Sequence, residues 1–153
     1  MNGAVARVDD VLSVEATAVK LLATREHSVR ELRDKLSSRF SDSDLVGRVI
    51  DDLQRRRLLS DERFTEQYVG MRTRKGYGPL RIRAELAERG IDSALIDVWL
   101  DMSPREWAEP MREVARQRFG DEMAADRKEQ AKRARFLQYR GFPEGLIRSY
   151  LWD

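Results

Sequence analysis

The stretches LAERGIDSALIDVWL (residues 86–100) and LQYRGFPEGLIRSYL (137–151) align without a gap. They share a first Leu, an Arg-Gly pair, a Leu-Ile pair and a final Leu. The stretch LSSRFSDSDLVGRVI (36–50) follows the same pattern, with matching residues at Leu36, Arg39, Leu45, Val46 and Ile50. The three stretches begin 50 and 51 residues apart, and a fixed period of this length indicates a repeat architecture.

The first copy departs from the other two at the Arg-Gly pair. Phe40 stands where the other copies have Gly, and Ser41 stands where they have an apolar residue. We expect Phe40 to supply the missing apolar contact from one position earlier in the chain.

Residues that favour helix N-termini recur before apolar stretches of helical period in each copy. The predicted starts are Ser13, Ser28 with Glu31 as a capping box, Asp42 or Ser43, Ser60, Gly78 with Pro79, Asp92, and Ser103 with Pro104. Glycine suits the left-handed residue that ends a helix, and Gly76, Gly90 and Gly120 follow predicted helices. Because no segment shows sustained strand alternation, the sequence predicts an all-α protein of nine helices.

These helices group into three tandem three-helix units that resemble helix-turn-helix domains. The predicted boundaries are a flexible N-terminus at residues 1–12, followed by repeats at 13–59, 60–102 and 103–153. Each unit is too small to bury much apolar surface alone, so neighbouring units are expected to stack and share cores. The expected result is an elongated, curved array.

Composition limits the function classes. Hydrophobic residues make up 41% of the chain and charged residues 37%, which favours several thin helical cores over one deep core. There is no cysteine, so disulfides and thiolate metal sites are excluded. The sequence shows no signal peptide and no segment apolar enough to span a membrane, which predicts a cytoplasmic protein, expected to be a monomer.

Positive charge is concentrated locally although the formal net charge is only +2. Residues 1–62 hold 11 Lys and Arg against 12 Asp and Glu, whereas residues 71–90 hold 6 against 2. A basic patch creates local positive potential whatever the net charge of the chain. A second basic excess lies around residues 127–148.

The first patch surrounds the joint Gly76–Pro79. Arg72, Arg74 and Lys75 end one predicted helix, where positive charge also complements the helix dipole. That explanation fails for Arg81 and Arg83, which lie near the start of the next helix. Tyr77 is expected at the exposed tip, where its ring could stack on a base or on a partner side chain. We therefore predict a binding surface from these six residues, and we expect exchange of Arg81 and Arg83 for Glu to leave the fold intact.

The second patch lies on the predicted eighth helix and contains Arg127, Lys128, Lys132, Arg133 and Arg135. Steps of four and three residues place Lys128, Lys132 and Arg135 on one helical face. A solvated helix face is the alternative, because Asp126 and Glu129 dilute the charge.

Catalytic and metal sites lack support in the sequence. The single histidine, His27, lies beside Glu26 and Ser28 at a predicted helix joint, where capping explains the residues better than nucleophilic catalysis. Acidic residues are scattered without His or Cys support for a metal, and Gly76-Tyr77-Gly78 follows no strand and lacks the third glycine of a dinucleotide fingerprint. We predict a protein that is no enzyme and has no cofactor, with Trp99, Trp107 and Trp152 in its core.

Three stretches resemble the RecX family of bacterial recombination regulators: LSDERFTEQYV (59–69), GYGPLRIRAELAERGID (76–92) and RFLQYRGFPEGLIRSYL (135–151). EWAEPMREVARQRFG (106–120) is similar to the linking helix of that family. The three stretches occur in the order and spacing of the family, and the resemblance covers roughly residue 17 to the end.

The resemblance implies a regulator that binds the RecA recombinase assembled on single-stranded DNA. Such a protein would lie along the filament groove and suppress strand exchange, ATP hydrolysis and co-protease activity, with weak direct binding to single-stranded DNA. Two alternatives stay open. One is a sequence-reading duplex-DNA binder built from tandem helix-turn-helix-like units, and the other is a protein scaffold without nucleic-acid contact.

Overall fold

The computed structural model describes the backbone of residues 3–152 and the side chains of residues 11–152. Within that part of the chain it contains nine α-helices and no strand. The helices are α1 (Gly3–Thr24), α2 (Val29–Arg39), α3 (Ser43–Arg55), α4 (Asp61–Arg74), α5 (Pro79–Glu88), α6 (Ser93–Trp99), α7 (Pro104–Phe119), α8 (Arg127–Arg140) and α9 (Glu144–Trp152). The predicted all-α class with three groups of three helices is confirmed.

Side-chain caps start several of these helices as predicted. The hydroxyl of Ser28 accepts from the backbone N–H of Glu31, whose carboxylate accepts from the N–H of Ser28 in return, and this completes a capping box. Asp42, rather than Ser43, caps α3. The side chains of Ser60 and Asp92 cap α4 and α6 in the same way. Each cap satisfies a backbone donor that the first helical turn leaves without an intrahelical partner.

The predicted start of the first helix is wrong. Ser13 does not cap it, because α1 already begins at Gly3. The prediction that residues 1–12 are flexible falls partly outside the described residues, namely on residues 1 and 2 and on the side chains of 3–10, and it stays a prediction. The predicted repeat boundaries also stay a prediction.

Glycines with positive φ end helices where the sequence predicts them, although Gly120, with a φ of 80° and a ψ of −171°, does not take the left-handed helical conformation. Gly76 has a φ of 87° and Gly90 a φ of 81°, and Gly141 takes the same conformation after α8 with a φ of 99°. Phe40, in the matching position of the first copy, is extended with a φ of −123°. A residue with a Cβ thus ends α2 without entering the left-handed region. The ring of Phe40 packs against the buried cluster of α1–α3, as expected.

The chain divides into two compact units, which we name by their position in the chain. The N-terminal unit is Met1–Gln67 with Arg89–Ile91, and the C-terminal unit is Tyr68–Glu88 with Asp92–Asp153. In the N-terminal unit, α1, α2 and α3 pack on one another. Their shared core contains Val14, Ala18, Leu32, Leu36, Leu45, Val46, Val49, Ile50, Leu53 and Leu59.

In the C-terminal unit, α7, α8 and α9 pack together, and α5 packs on α6. Its buried hydrophobic residues include Ile82, Leu86, Ile96, Leu100, Trp107, Met111, Ala115, Leu137, Phe142, Ile147 and Leu151. The ring of Trp107 meets that of Phe142 edge to face at 6.4 Å between centroids. Among the described residues, no helix is long and apolar enough to cross a membrane.

Candidate functional site

The joint between α4 and α5 is packed against the end of α8. The backbone N–H of Gly78 donates to the carbonyl oxygen of Arg140 over 2.7 Å, and that of Leu80 donates to the carbonyl oxygen of Gly141 over 3.0 Å. A Cβ on Gly78 would lie 2.5 Å from the Gly141 oxygen. Glycine at position 78 therefore permits direct backbone contact, and the joint is buried at Gly78 and Pro79.

Two arginines of the first predicted patch bind one carboxylate, that of Glu85 on α5. Arg72 donates to both oxygens of Glu85 at 2.8 Å, and Arg81 donates to one of them at 3.2 Å. The hydroxyl of Tyr68 donates to the same carboxylate at 2.9 Å. Burial raises the pKa of Glu85, but the hydrogen bonds from Arg72, Tyr68 and Arg81 outweigh it, so the net pKa is lowered. Glu85 is therefore ionised at neutral pH and neutralises part of the patch.

The sequence predicts that Tyr77 lies at an exposed tip. In the structure its side chain is instead half-buried among three guanidinium groups. The guanidinium carbons of Arg72, Arg81 and Arg140 lie 3.7, 4.5 and 4.8 Å from the centre of its ring. These cation–π contacts hold the arginines in place. Arg140 also donates to the carbonyl oxygen of Lys75 at 2.9 Å. The ring of Tyr77 therefore organises the joint and is not a free stacking surface.

The remaining residues of the first patch lie at the surface. Arg83 pairs with Asp97 at 2.7 Å, and this carboxylate is 64% exposed, so the pair is weak. Arg74 and Lys75 are exposed and have no ion-pair partner among the residues that the structure describes. Of the six residues, only these two present cationic groups to solvent without a described acidic partner.

The second predicted patch is more open. Arg127, Lys128, Lys132 and Arg135 are exposed on α8, and no carboxylate in the described part of the chain forms an ion pair with any of them. The helix begins at Asp126, whose carboxylate caps it by accepting from the N–H of Glu129. Four cations of one helix are therefore available to an anionic ligand.

Arg133 is the exception in this patch and corrects the sequence prediction. Its side chain is only 7% exposed and pairs with Glu129 at 3.3 Å. It also donates to the carbonyl oxygen of Glu122 at 2.9 Å, and its guanidinium carbon lies 5.0 Å from the ring centre of Phe119. Arg133 thus joins α8 to the residues before it and is not a surface cation.

Tyr139 is an exposed residue of this face that the basic pattern of the sequence does not single out. It lies four residues after Arg135 on α8, so it continues the face of Lys128, Lys132 and Arg135. It is 70% exposed, and the guanidinium carbon of Arg81 lies 4.7 Å from its ring centre. The same four-residue step that joined Lys128 to Lys132 in the sequence could have identified it.

The tryptophans differ from the prediction in one case. Trp107 is buried as predicted, and its indole N–H donates to the carbonyl oxygen of Asp101 at 2.6 Å. Trp99 is half-buried. Trp152 is 55% exposed, so its assignment to the core is wrong. Trp152 follows the last apolar core position, Leu151, and instead lines a shallow hollow together with Arg127 and Arg135.

His27 lies in the N-terminal unit and is buried. Its Nδ1 lies 3.1 Å from the carbonyl oxygen of Arg25, and its Nε2 lies 3.0 Å from the ammonium nitrogen of Lys35. Lys35 can only donate, so Nε2 accepts and Nδ1–H donates, which describes a neutral imidazole. No group of three His, Asp or Glu side chains able to hold a metal occurs among the described residues.

Family models and a solved structure assign the same fold to this chain. The model described as RecX, first three-helix domain, matches residues 16–53. Those described as the second and third three-helix domains match residues 60–98 and 111–151. A crystal structure of RecX from Lactobacillus salivarius superimposes with a TM-score of 0.75 over 93% of this chain and 94% of that chain. At 24% identity, this likeness establishes the shared fold.

Curated relatives are much closer in sequence. The protein named Regulatory protein RecX from Pseudomonas fluorescens is 40% identical over 140 residues, which cover 92% of this chain and 90% of that protein. The protein of the same name from Pseudomonas tolaasii is 40% identical over the same shares. With three domain models matched in order and relatives this similar over nearly the whole length, this chain belongs to the RecX family of regulatory proteins.

Proposed function

We propose that this chain binds the RecA recombinase filament on single-stranded DNA and inhibits its strand exchange, ATP hydrolysis and co-protease activity. It acts as a monomeric, non-catalytic protein of the cytoplasm, without a cofactor. Membership of a family of regulatory proteins supports a regulatory role. The observation that carries the proposal is the set of four exposed cations on α8, Arg127, Lys128, Lys132 and Arg135.

A nucleoprotein filament offers many equivalent anionic sites, both as DNA phosphates and as acidic side chains. Repeated helical units can contact several such sites at once, and each further contact forms at high effective concentration. Unpaired surface cations suit this role, because an ion pair within the chain does not have to break before the partner binds.

The test combines RecA filament binding with inhibition. RecA, a single strand and a slowly hydrolysed ATP analogue are co-sedimented with this chain, and ATP hydrolysis and strand exchange are measured in parallel. The variant Lys128→Gln/Lys132→Gln/Arg135→Gln is expected to sediment less with the filament and to inhibit poorly.

The matched control removes three exposed cations elsewhere, as Arg55→Gln/Arg112→Gln/Arg148→Gln, with side chains 72%, 59% and 68% exposed. Both variants lower the net charge by three; the control cations differ from those of α8 in position and in their pairing with Asp52, Glu109 and Glu144. Failure of the wild-type chain to sediment with RecA filaments would overturn the proposal. Equal inhibition by both variants would place the contact away from α8.

The second candidate, a sequence-reading duplex binder, is favoured by the helix-turn-helix-like units alone. A duplex reader needs base-reading side chains at the start of a recognition helix, yet Arg81, near the start of α5, is held by Glu85 and by the carbonyl oxygen of Tyr139. Competition between random duplex and single strands separates the two candidates.

A further inference from the structure

We infer that one face of α8, formed by Lys128, Lys132, Arg135 and Tyr139, binds single-stranded nucleic acid directly, with Tyr139 stacking on an unpaired base. We call these four residues the α8 stripe. The inference rests on the proposed function in so far as that function brings the chain onto a single strand. It adds the binding site and the stacking residue.

The four residues of the stripe share one side of the helix. They follow one another by steps of four, three and four residues, which keeps them within a narrow sector at 3.6 residues per turn. The eleven residue steps from Lys128 to Tyr139 correspond to a rise of about 16 Å along the axis. Three positive charges and one ring therefore form a linear row, which matches an extended strand better than a compact ligand.

The neighbouring carboxylates do not neutralise the row. Asp126 is occupied as the cap of α8, and Glu129 pairs with the buried Arg133. No other carboxylate in the described part of the chain forms an ion pair with the three cations of the stripe. Their charge is therefore available to phosphates, whose bound counterions are released when the cations replace them.

The ring of Tyr139 is exposed to solvent rather than buried. Arg81 lies 4.7 Å from its centre, and this arginine is itself fixed by Glu85 at 3.2 Å and by the carbonyl oxygen of Tyr139 at 3.1 Å. Because the tyrosine is 70% exposed, much of its ring stays open to solvent. A large ring supported by a guanidinium on one side is a suitable platform for a base on the other.

The ring of Tyr139 favours a nucleic acid over an acidic protein as the ligand. Both are attracted to the three cations, but an aromatic platform at the end of the same row suits the open face of a base. In a duplex the base faces are covered by stacking on their neighbours, so the expected ligand is a single strand.

The test measures binding of a fluorescently labelled oligothymidylate to the full chain without RecA, across a series of salt concentrations. Tyr139→Ala is expected to weaken binding at least about fivefold, because a base–aromatic stack contributes roughly 1–3 kcal/mol. Tyr139→Phe is expected to bind like the wild type, since it keeps the ring. Val98→Ala removes an equally exposed side chain of the C-terminal unit and serves as the control.

Salt dependence separates the two parts of the stripe. Lys128→Gln/Lys132→Gln/Arg135→Gln is expected to lower the slope of log affinity against log salt by about 2, whereas Tyr139→Ala leaves the slope unchanged. Thermal unfolding of every variant shows whether a loss of binding is a loss of fold.

Several results would overturn the inference: no oligonucleotide binding by the wild type, equal binding by Tyr139→Ala, or an equal loss of duplex and single-strand binding in that variant. If the stripe variants bind the oligonucleotide normally but no longer sediment with RecA filaments, the α8 stripe is a protein-docking surface. That result overturns this inference and leaves the proposed function standing.

Discussion

The backbone N–H of Gly78 donates a hydrogen bond to the carbonyl oxygen of Arg140 over 2.7 Å. The hydroxyl of Ser28 donates to the carbonyl oxygen of Arg89 over 2.8 Å, within the N-terminal unit. In both cases the donor precedes the second helix of a repeat, and the acceptor is the arginine of an Arg-Gly pair one period later. The Arg-Gly pair thus ends its own helix, and the carbonyl oxygen of its arginine also accepts a hydrogen bond from the residue that precedes a helix of the preceding repeat.

Substitution of Gly78 by Ala is expected to destabilise the C-terminal unit by about 2 kcal/mol or more. The new Cβ would lie 2.5 Å from the carbonyl oxygen of Gly141, and two backbone segments would have to separate. Separation also weakens the hydrogen bond to Arg140, which is costly in a buried joint. Urea unfolding of the two proteins gives the difference in free energy.

Gly145→Ala is the control, because Gly145 lies within α9 and a Cβ there meets no atom within 4 Å. It is expected to be neutral or to stabilise the protein by about 0.5–1 kcal/mol, since alanine is the better helix former. A Gly78→Ala protein as stable as Gly145→Ala would show that the joint is loose in solution.

A pair of glycine substitutions separates backbone strain from steric contact. Gly90 and Gly120 both have positive φ, 81° and 80°, but a Cβ on Gly90 would lie 2.6 Å from Cδ of Arg30, whereas one on Gly120 meets nothing within 4 Å. Gly120→Ala is expected to cost about 1–3 kcal/mol from strain alone, because its ψ of −171° places it in a backbone region that essentially only glycine occupies. Gly90→Ala is strained by its own positive φ and in addition has to displace Arg30.

The extra cost of Gly90→Ala can be tested by removing the side chain of Arg30. In the background of Arg30→Gly, which removes both the Cδ at 2.6 Å and the Cβ at 2.8 Å, Gly90→Ala is expected to cost less than in the wild-type background, because only the backbone strain remains. Melting temperatures of the four proteins suffice for the comparison. Gly90→Val, with a larger side chain, is expected to destabilise for both reasons, backbone strain and contact with Arg30.

How far the sequence predicts the fold depends on how local the interaction is. Helix caps such as Ser28 and left-handed ends such as Gly90 depend on a few neighbouring residues, so the sequence identifies them. The bond from Gly78 to Arg140 joins backbone groups 62 residues apart, and backbone groups carry no sequence signature. The start of α1 was missed because capping at Ser13 is only a local preference, which the helix overrides.

The candidate site likewise contains local interactions, which the sequence predicts, and long-range interactions, which it does not. The step from Arg81 to Glu85 is a helical ion-pair spacing that the sequence contains, whereas the bond from Arg72 to Glu85 joins two helices. Burial of Arg133 also has a signal, because it lies one turn before the core residue Leu137. The sequence thus predicts which charges are exposed. Only the structure shows that Arg72 is paired with Glu85 and is not an available cation.

His27 makes the stability of the N-terminal unit sensitive to pH. Burial lowers the pKa of His27, the hydrogen bond to the carbonyl of Arg25 opposes this, and the charges of Arg25 and Lys35 lower it further. In the unfolded chain the imidazole has its ordinary pKa of 6.5 and is protonated first as the pH falls. The unfolded state then binds more protons, so the free energy of unfolding should decrease as the pH drops through 6.5.

Urea unfolding at several pH values between 8 and 5 measures this dependence. His27 is the only histidine in the sequence, so His27→Gln should remove most of the dependence near pH 6. An unchanged pH profile in that variant would assign the effect to another group, and a wild-type stability that rises as the pH falls would contradict the sign.

Arg81→Glu and Arg83→Glu are expected to differ, although the sequence alone predicts that both leave the fold intact. The Arg81 guanidinium is bound by Glu85 and lies beside the rings of Tyr77 and Tyr139. A carboxylate there would face Glu85 one turn away and remove both ring contacts, at a cost of about 2–3 kcal/mol. Arg83→Glu disturbs a surface pair with Asp97 and should cost at most about 1 kcal/mol.

The two substitutions change the net charge equally, so the comparison separates a local role from a general electrostatic one. Urea unfolding of each single variant gives the two costs, and inhibition of RecA is then measured only below the temperature at which the weaker variant begins to unfold. Loss of inhibition in Arg83→Glu would then assign a contact to this surface, since its fold is intact. Equal stability of the two variants would show that the contacts of Arg81 with Glu85 and the two rings contribute little to folding.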